Sequence, residues 1–167
     1  MNNLEIAKDL MKEKISDIKY GLVFNSPEQL LENKIGDCFE QTELARHLFL
    51  KQNIPCDAYY ISHSNCDYGT TWHDASMHTF LVFQNDGKFY WFEHAWGDEA
   101  GIHEFDSMKE LLFAVKKMCE DFDEKKRGGR KKNCVLFKYD TPKFPLSRDE
   151  FINNYCVNGE FIDIEKL

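Results

Sequence analysis

Cys38, His78 and Glu93 are the residues of this 167-residue chain whose types and placement suit nucleophilic chemistry. Cys38 follows Gly36-Asp37 and falls in the first turn of a predicted helix. A helix start presents unpaired backbone N–H groups and positive partial charge, and both stabilise a thiolate. The same N–H groups can receive an oxyanion as the sulfur attacks a carbonyl. Gly36 would let the backbone approach a substrate closely. A thiolate needs a base, and the base needs a group that orients it. His78 opens an aromatic strand over residues 77–83, and Glu93 closes the next, over residues 89–93. The plainer reading of Cys38, as of Cys56, Cys66, Cys119, Cys134 and Cys156, is a small buried hydrophobe.

The hairpin between those strands decides whether His78 and Glu93 can meet. Asn85-Asp86-Gly87 is a strong turn signal. With Asn85-Asp86 as a two-residue loop, His78 lies directly opposite Glu93, at Cβ separations of about 5 Å. With Asp86-Gly87 as the loop, the two remain on one face as diagonal neighbours. With all three residues in a bulged loop, His94 faces His78 and Glu93 turns to the other side. Glu93 and His94 therefore both stand as orienters.

These residues need a scaffold, and the chain encodes one. Residues 4–18 form an amphipathic pattern, with Ile6, Leu10, Met11, Ile15 and Ile18 near one stripe. Ser26-Pro27-Glu28-Gln29 opens a short helix through a capping box, and Asp37-Cys38-Phe39-Glu40 opens a longer one the same way. The second runs to Asn53, before Pro55, burying Leu44, Ala45, Leu48 and Phe49. Residues 58–61, 77–84, 88–94 and 135–139 read as strands, and residues 161–164 as a short one. Residues 107–122 form another amphipathic helix, boxed by Ser107 and Glu110, and residues 147–155 a last one. Helices first and a sheet afterwards predict an α+β fold, in one domain over residues 1–167.

The pattern resembles the transglutaminase-like superfamily over residues 26–96. Lys34-Ile35-Gly36-Asp37-Cys38, with a helix ending in Asn53-Ile54-Pro55, is similar to that family's nucleophile element and helix. His78-Thr79-Phe80-Leu81-Val82-Phe83 resembles its histidine strand. Asp86-Gly87-Lys88-Phe89-Tyr90-Trp91-Phe92-Glu93 resembles the strand that follows. Glu93 stands where the family usually has Asp, and His94 where it has Pro. Glu is one methylene longer and orients an imidazole from a shifted backbone. The resemblance implies a papain-like arrangement, with the nucleophile at a helix start packed on an antiparallel sheet. It implies Cys38 as nucleophile, His78 as base and Glu93 as orienter, acting through an acyl-thioester. Hydrolysis or transfer at an amide of a peptide or protein follows, of the peptidase, deamidase or transglutaminase type, with no cofactor. Gln29 and Tyr20 are candidates for the second oxyanion donor. The loop over residues 63–76, with Trp72 and His73, is where such folds carry substrate-facing variation.

Two rival readings are a non-catalytic scaffold on the same fold and a metal site. His63, Cys66, His73, His78, His94 and His103 cluster in sequence, yet only His63-x-x-Cys66 approaches ligand spacing. A net charge of −8 argues against nucleic acid as a general partner. No apolar run approaches the roughly 20 residues of a membrane span. The first residues show no basic or apolar leader, so six reduced thiols in a cytoplasm are expected. The Lys125-Lys126-Arg127 and Arg130-Lys131-Lys132 clusters read as a solvated loop.

Overall fold

The computed structural model describes residues 2–65, 75–126, 129, 131 and 133–167. Helix α1 covers Asn3–Leu10, and Met11–Ile15 continues it as a wider π-helical turn. Helices α2 (Pro27–Asn33) and α3 (Cys38–Lys51) precede strand β1 (Cys56–Ser64). Strands β2 (Ser76–Asn85), β3 (Lys88–Glu93) and β4 (Gly101–Phe105) lead to helix α4 (Met108–Lys126). Strand β5 (Asn133–Tyr139), helix α5 (Arg148–Phe151) with a π-helical turn over Ile152–Cys156, and strand β6 (Glu160–Phe161) complete the chain. The strands form one antiparallel sheet in the order β4-β3-β2-β1-β5-β6. The fold is α+β, as the order of patterns along the chain predicts.

Strand alternation divides the core in two. Ala58, Tyr60, Leu81, Phe83 and Phe92 bury against Leu44, Phe49 and their neighbours on α3 and against α1. Tyr59, Ile61, Phe80, Val82 and Trp91 bury against Leu111, Leu112, Val115 and Cys119 of α4. The aromatic strands thus serve both layers. Phe49 meets Phe83 and Phe92 edge-on, each at 5.2 Å between centroids. Among the described residues, no helix is long and apolar enough to cross a membrane.

The β2–β3 register follows from its turn. Asn85 pairs with Lys88, which leaves Asp86 and Gly87 as the loop. Both have positive φ, 49° and 78°, the signature of a type I′ turn whose twist matches the strands it joins. Of the three registers open to the sequence, the diagonal one is realised.

Several elements differ from expectation. Helix α1 is shorter than residues 4–18, starting from an Asn2–Glu5 capping box that periodicity does not reveal. Helix α4 runs one turn beyond Phe122. Strand β4 is an edge strand with a half-exposed face, and its Gly101, His103 and Glu104 hide the apolar alternation. At the other edge only Glu160 and Phe161 pair with β5, and Ile164–Lys166 turns back as a 3-10 helix instead of extending the strand. The basic loop after α4 lies largely outside the described residues.

Candidate functional site

Cys38 is the first residue of α3, and Asp37 is its cap. The Asp37 carboxylate accepts from the N–H groups of Phe39 (2.9 Å) and Glu40 (3.4 Å), and Glu40 accepts in return from the Asp37 N–H at 2.9 Å. Arg148, at the start of α5, pairs with the Asp37 carboxylate and lies over the rings of Phe24 and Phe39. Burial pushes the Asp37 carboxyl up from its ordinary range, and Arg148 and the two N–H groups pull it back. Burial likewise raises Glu40, to about 7. Two threonines fasten this helix start to the sheet. The Thr79 hydroxyl donates to the Cys38 carbonyl at 3.0 Å, and the Thr42 hydroxyl donates to the Thr79 carbonyl at 3.0 Å.

Gly36 plays a different part from the one expected. A Cβ there would come within 2.8 Å of Leu30 Cδ1 and 3.0 Å of Glu40 Oε2. The missing side chain makes room for the core and the capping box, where the sequence suggested an approach to substrate.

His78 and Glu93 meet on the sheet face that α4 covers. His78 Nε2 lies 2.7 Å from Glu93 Oε2, and both residues are buried. The same oxygen accepts from Trp91 Nε1 at 3.3 Å, and the Trp96 N–H donates to Oε1 at 3.1 Å. A carboxylate so supplied only accepts, so Nε2 carries the proton and Nδ1 is left for the thiol. Burial disfavours the His78 imidazolium, but the Glu93 carboxylate and hydrogen bonding to Cys38 and Glu93 outweigh it and raise the pKa to about 10. All three predicted residues are thus brought together. His94 points elsewhere. Its Nδ1 lies 2.7 Å from Gln41 Oε1, while Gln41 Nε2 donates to the Gly36 carbonyl at 2.9 Å. His94 is held by Gln41 and does not orient His78.

Cys38 and His78 line a cavity of about 200 Å³ together with Tyr20, Met77, Trp96 and Phe122. Trp96 meets the His78 ring edge-on at 5.0 Å and Phe122 at 4.8 Å. Tyr20 sits on an extended segment that is bridged in parallel to the residues before Cys38, through Lys19 and Ile35. The segment exposes Tyr20, Leu22 and Val23, and Ile35 is exposed beside it. Gln29, by contrast, is spent in its own capping box, where its Oε1 accepts from the Ser26 N–H at 2.9 Å.

Trp96, Phe122, Thr79 and Arg148 are the residues that sequence reasoning missed. Trp96 and Phe122 carry no spacing signal, because one follows a strand and the other ends a helical stripe. The Arg148–Asp37 pair spans 111 residues, and nothing local announces it. The other histidines have separate roles. His63 Nδ1 lies 3.3 Å from Asp123, and His103 Nε2 lies 2.7 Å from the Glu99 carbonyl. Cys66, Trp72 and His73 lie outside the described residues. Among the described residues, no three His, Cys, Asp or Glu side chains gather as a metal site would require. The described cysteines are free thiols, and burial pushes Cys56 and Cys134 up to about 11 and Cys119 and Cys156 higher still. No protein-family model and no curated protein matches the chain.

Proposed function

We propose that this chain is a transglutaminase-like cysteine hydrolase or acyltransferase that acts on an amide of a peptide or protein substrate. The observation that carries the reading is the position of His78, held by Glu93 at 2.7 Å and lining one cavity with Cys38.

The chemistry follows from that order. Cys38 and His78 act as an ion pair in which the thiol's proton resides on His78 Nδ1, and Glu93 offsets the charge of the imidazolium. The thiolate attacks the amide carbon. The oxyanion forms at the start of α3, where the Cys38 N–H is not among those that Asp37 takes as cap. As the C–N bond breaks, the imidazolium returns its proton to the leaving nitrogen, and an acyl-thioester remains on Cys38. Water or an amine then attacks the thioester, giving up a proton through His78, and the thiol is restored. The exposed Tyr20, Leu22 and Val23 beside the cavity suit a polypeptide substrate. A thiol nucleophile works in a reducing compartment, which fits the cytoplasm.

A casein digest tests the reading. New peptide termini report cleavage, ammonia reports deamidation, and incorporation of a fluorescent amine reports transfer. We expect one of these signals from the wild type and none from Cys38→Ala or His78→Ala, both folded by circular dichroism. Turnover that persists in Cys38→Ala contradicts the proposal.

A further inference from the structure

We propose that Asp123 forms a receptor for a primary ammonium group of the substrate, in a small chamber that adjoins the Cys38 cavity. The inference rests on the reading of Cys38 as the reacting group.

The chamber has a volume of about 40 Å³ and is lined by Ser76, Asp123 and Cys119, with His78, Trp96 and Phe122 forming walls common to it and to the Cys38 cavity. On this measure roughly 10–15 Å³ holds one water, so the chamber has room for an ammonium group. Asp123 has no exposed surface. Its Oδ1 accepts from the Ser76 hydroxyl. His63 Nδ1 lies 3.3 Å from Oδ2, and among the described residues no donor completes a hydrogen bond to that oxygen. His63 is a poor counter-ion, since burial pushes its pKa below the ordinary value although Asp123 pulls it upward. A buried carboxyl oxygen without a donor is costly, and an ammonium supplies both donor and charge.

Charge outside the chamber agrees. Trp96 and Phe122 also border an outer groove that carries Asp98, Glu99 and Asp121, with Lys125 and Lys126 along it. Asp121 is paired with Lys117 at 2.8 Å, so Asp98 and Glu99 are the groove's contribution to the negative charge near Asp123. An ammonium hydrogen-bonded to a carboxylate keeps its proton, so its lone pair is engaged. The chamber therefore holds a cationic handle on the acyl donor and does not supply the attacking amine.

Methanethiosulfonate reagents test this on the intact chain. The Cys38 thiolate displaces methanesulfinate from each and takes the alkylthio group, forming one mixed disulfide. The probes carry a methyl, an aminoethyl, a trimethylammonioethyl or a sulfonatoethyl group, and each rate is normalised to a free model thiol. We expect the aminoethyl reagent to exceed the methyl reagent at least tenfold. The trimethylammonioethyl reagent, with equal charge but no N–H to donate to Asp123, should stay within about threefold of it. Asp123→Asn should erase the aminoethyl preference and leave the methyl rate unchanged. If Asp123→Asn does not fold, ethylammonium chloride should slow the methyl reagent on the wild type, and tetramethylammonium chloride at equal ionic strength should not. Equal rates for both cationic reagents, or a preference that survives Asp123→Asn, overturn the proposal. A methyl rate at Cys38 no faster than the model thiol counts against the Cys38 reading itself, and the ratio between the cationic reagents still reports on Asp123.

Discussion

His78 and Glu93 are not cross-strand partners, yet their side chains meet at 2.7 Å inside the protein. The type I′ turn at Asp86-Gly87 sets them diagonally on one face, and the extra methylene of Glu93 spans the offset. The pair should therefore be visible in stability as well as in reactivity. Its pKa, raised to about 10, lies above the unfolded value of about 6.5. The stabilisation is then complete below pH 6.5 and is lost as pH rises toward 10. Between pH 6.5 and 8 the loss amounts to about 2 kcal/mol. Urea unfolding at those two pH values should show this slope in the wild type and a much flatter one in Glu93→Gln. Parallel slopes would mean that the ion pair does not form.

The same turn separates Glu93 from its neighbour. His94 hydrogen-bonds Gln41, away from His78. Alkylation of Cys38 should fall at least tenfold in Glu93→Gln and stay within about twofold in His94→Ala, by mass-mapped labelling. A larger effect in His94→Ala contradicts the register.

The cap of α3 depends on a residue far along the chain. Arg148 pairs with the buried Asp37 carboxylate and is itself about one-third exposed. Arg148→Met keeps most of the packing on Phe24 and Phe39 but leaves Asp37 unpaired. A loss of about 1–3 kcal/mol is expected in chemical denaturation. Asp37→Asn in the same background should recover part of it, because the amide oxygen still caps and no charge is stranded.

Thr79 links the sheet to the helix start through the Cys38 carbonyl. Thr79→Val preserves shape but removes the hydroxyl bond to that carbonyl, which keeps its helical partner, at a cost of about 1 kcal/mol. Denaturation midpoints check the cost. A neutral result would place the anchoring of α3 in its apolar stripe alone.

Much of this was legible in the sequence for a physical reason. Capping boxes at Asp37 and Ser26, the aromatic alternation of β2 and β3 and the Asp86-Gly87 turn are local signals, each acting within a few residues. The hairpin narrowed the orienter of His78 to two residues, and only the turn's backbone could choose between them. What escaped was non-local. Arg148 reaches Asp37 through tertiary packing, and Trp96 and Phe122 come together only when α4 lies on the sheet. Edge strands β4 and β6 escaped because a strand with one partner and an exposed face needs little apolar alternation. Gly36 suggests an approach to substrate in the sequence, but the atoms packed against it are those of Leu30 and Glu40.

The most direct test is iodoacetamide labelling of the native protein, with mass mapping of all six cysteines. Burial raises the thiol pKa of Cys56, Cys119, Cys134 and Cys156, whereas Cys38, although buried, lines a cavity beside His78. Cys38 should label at least tenfold faster than these four, and His78→Ala should abolish the difference. Labelling of Cys38 no faster than the others, or a rate indifferent to His78→Ala, would contradict an activated nucleophile.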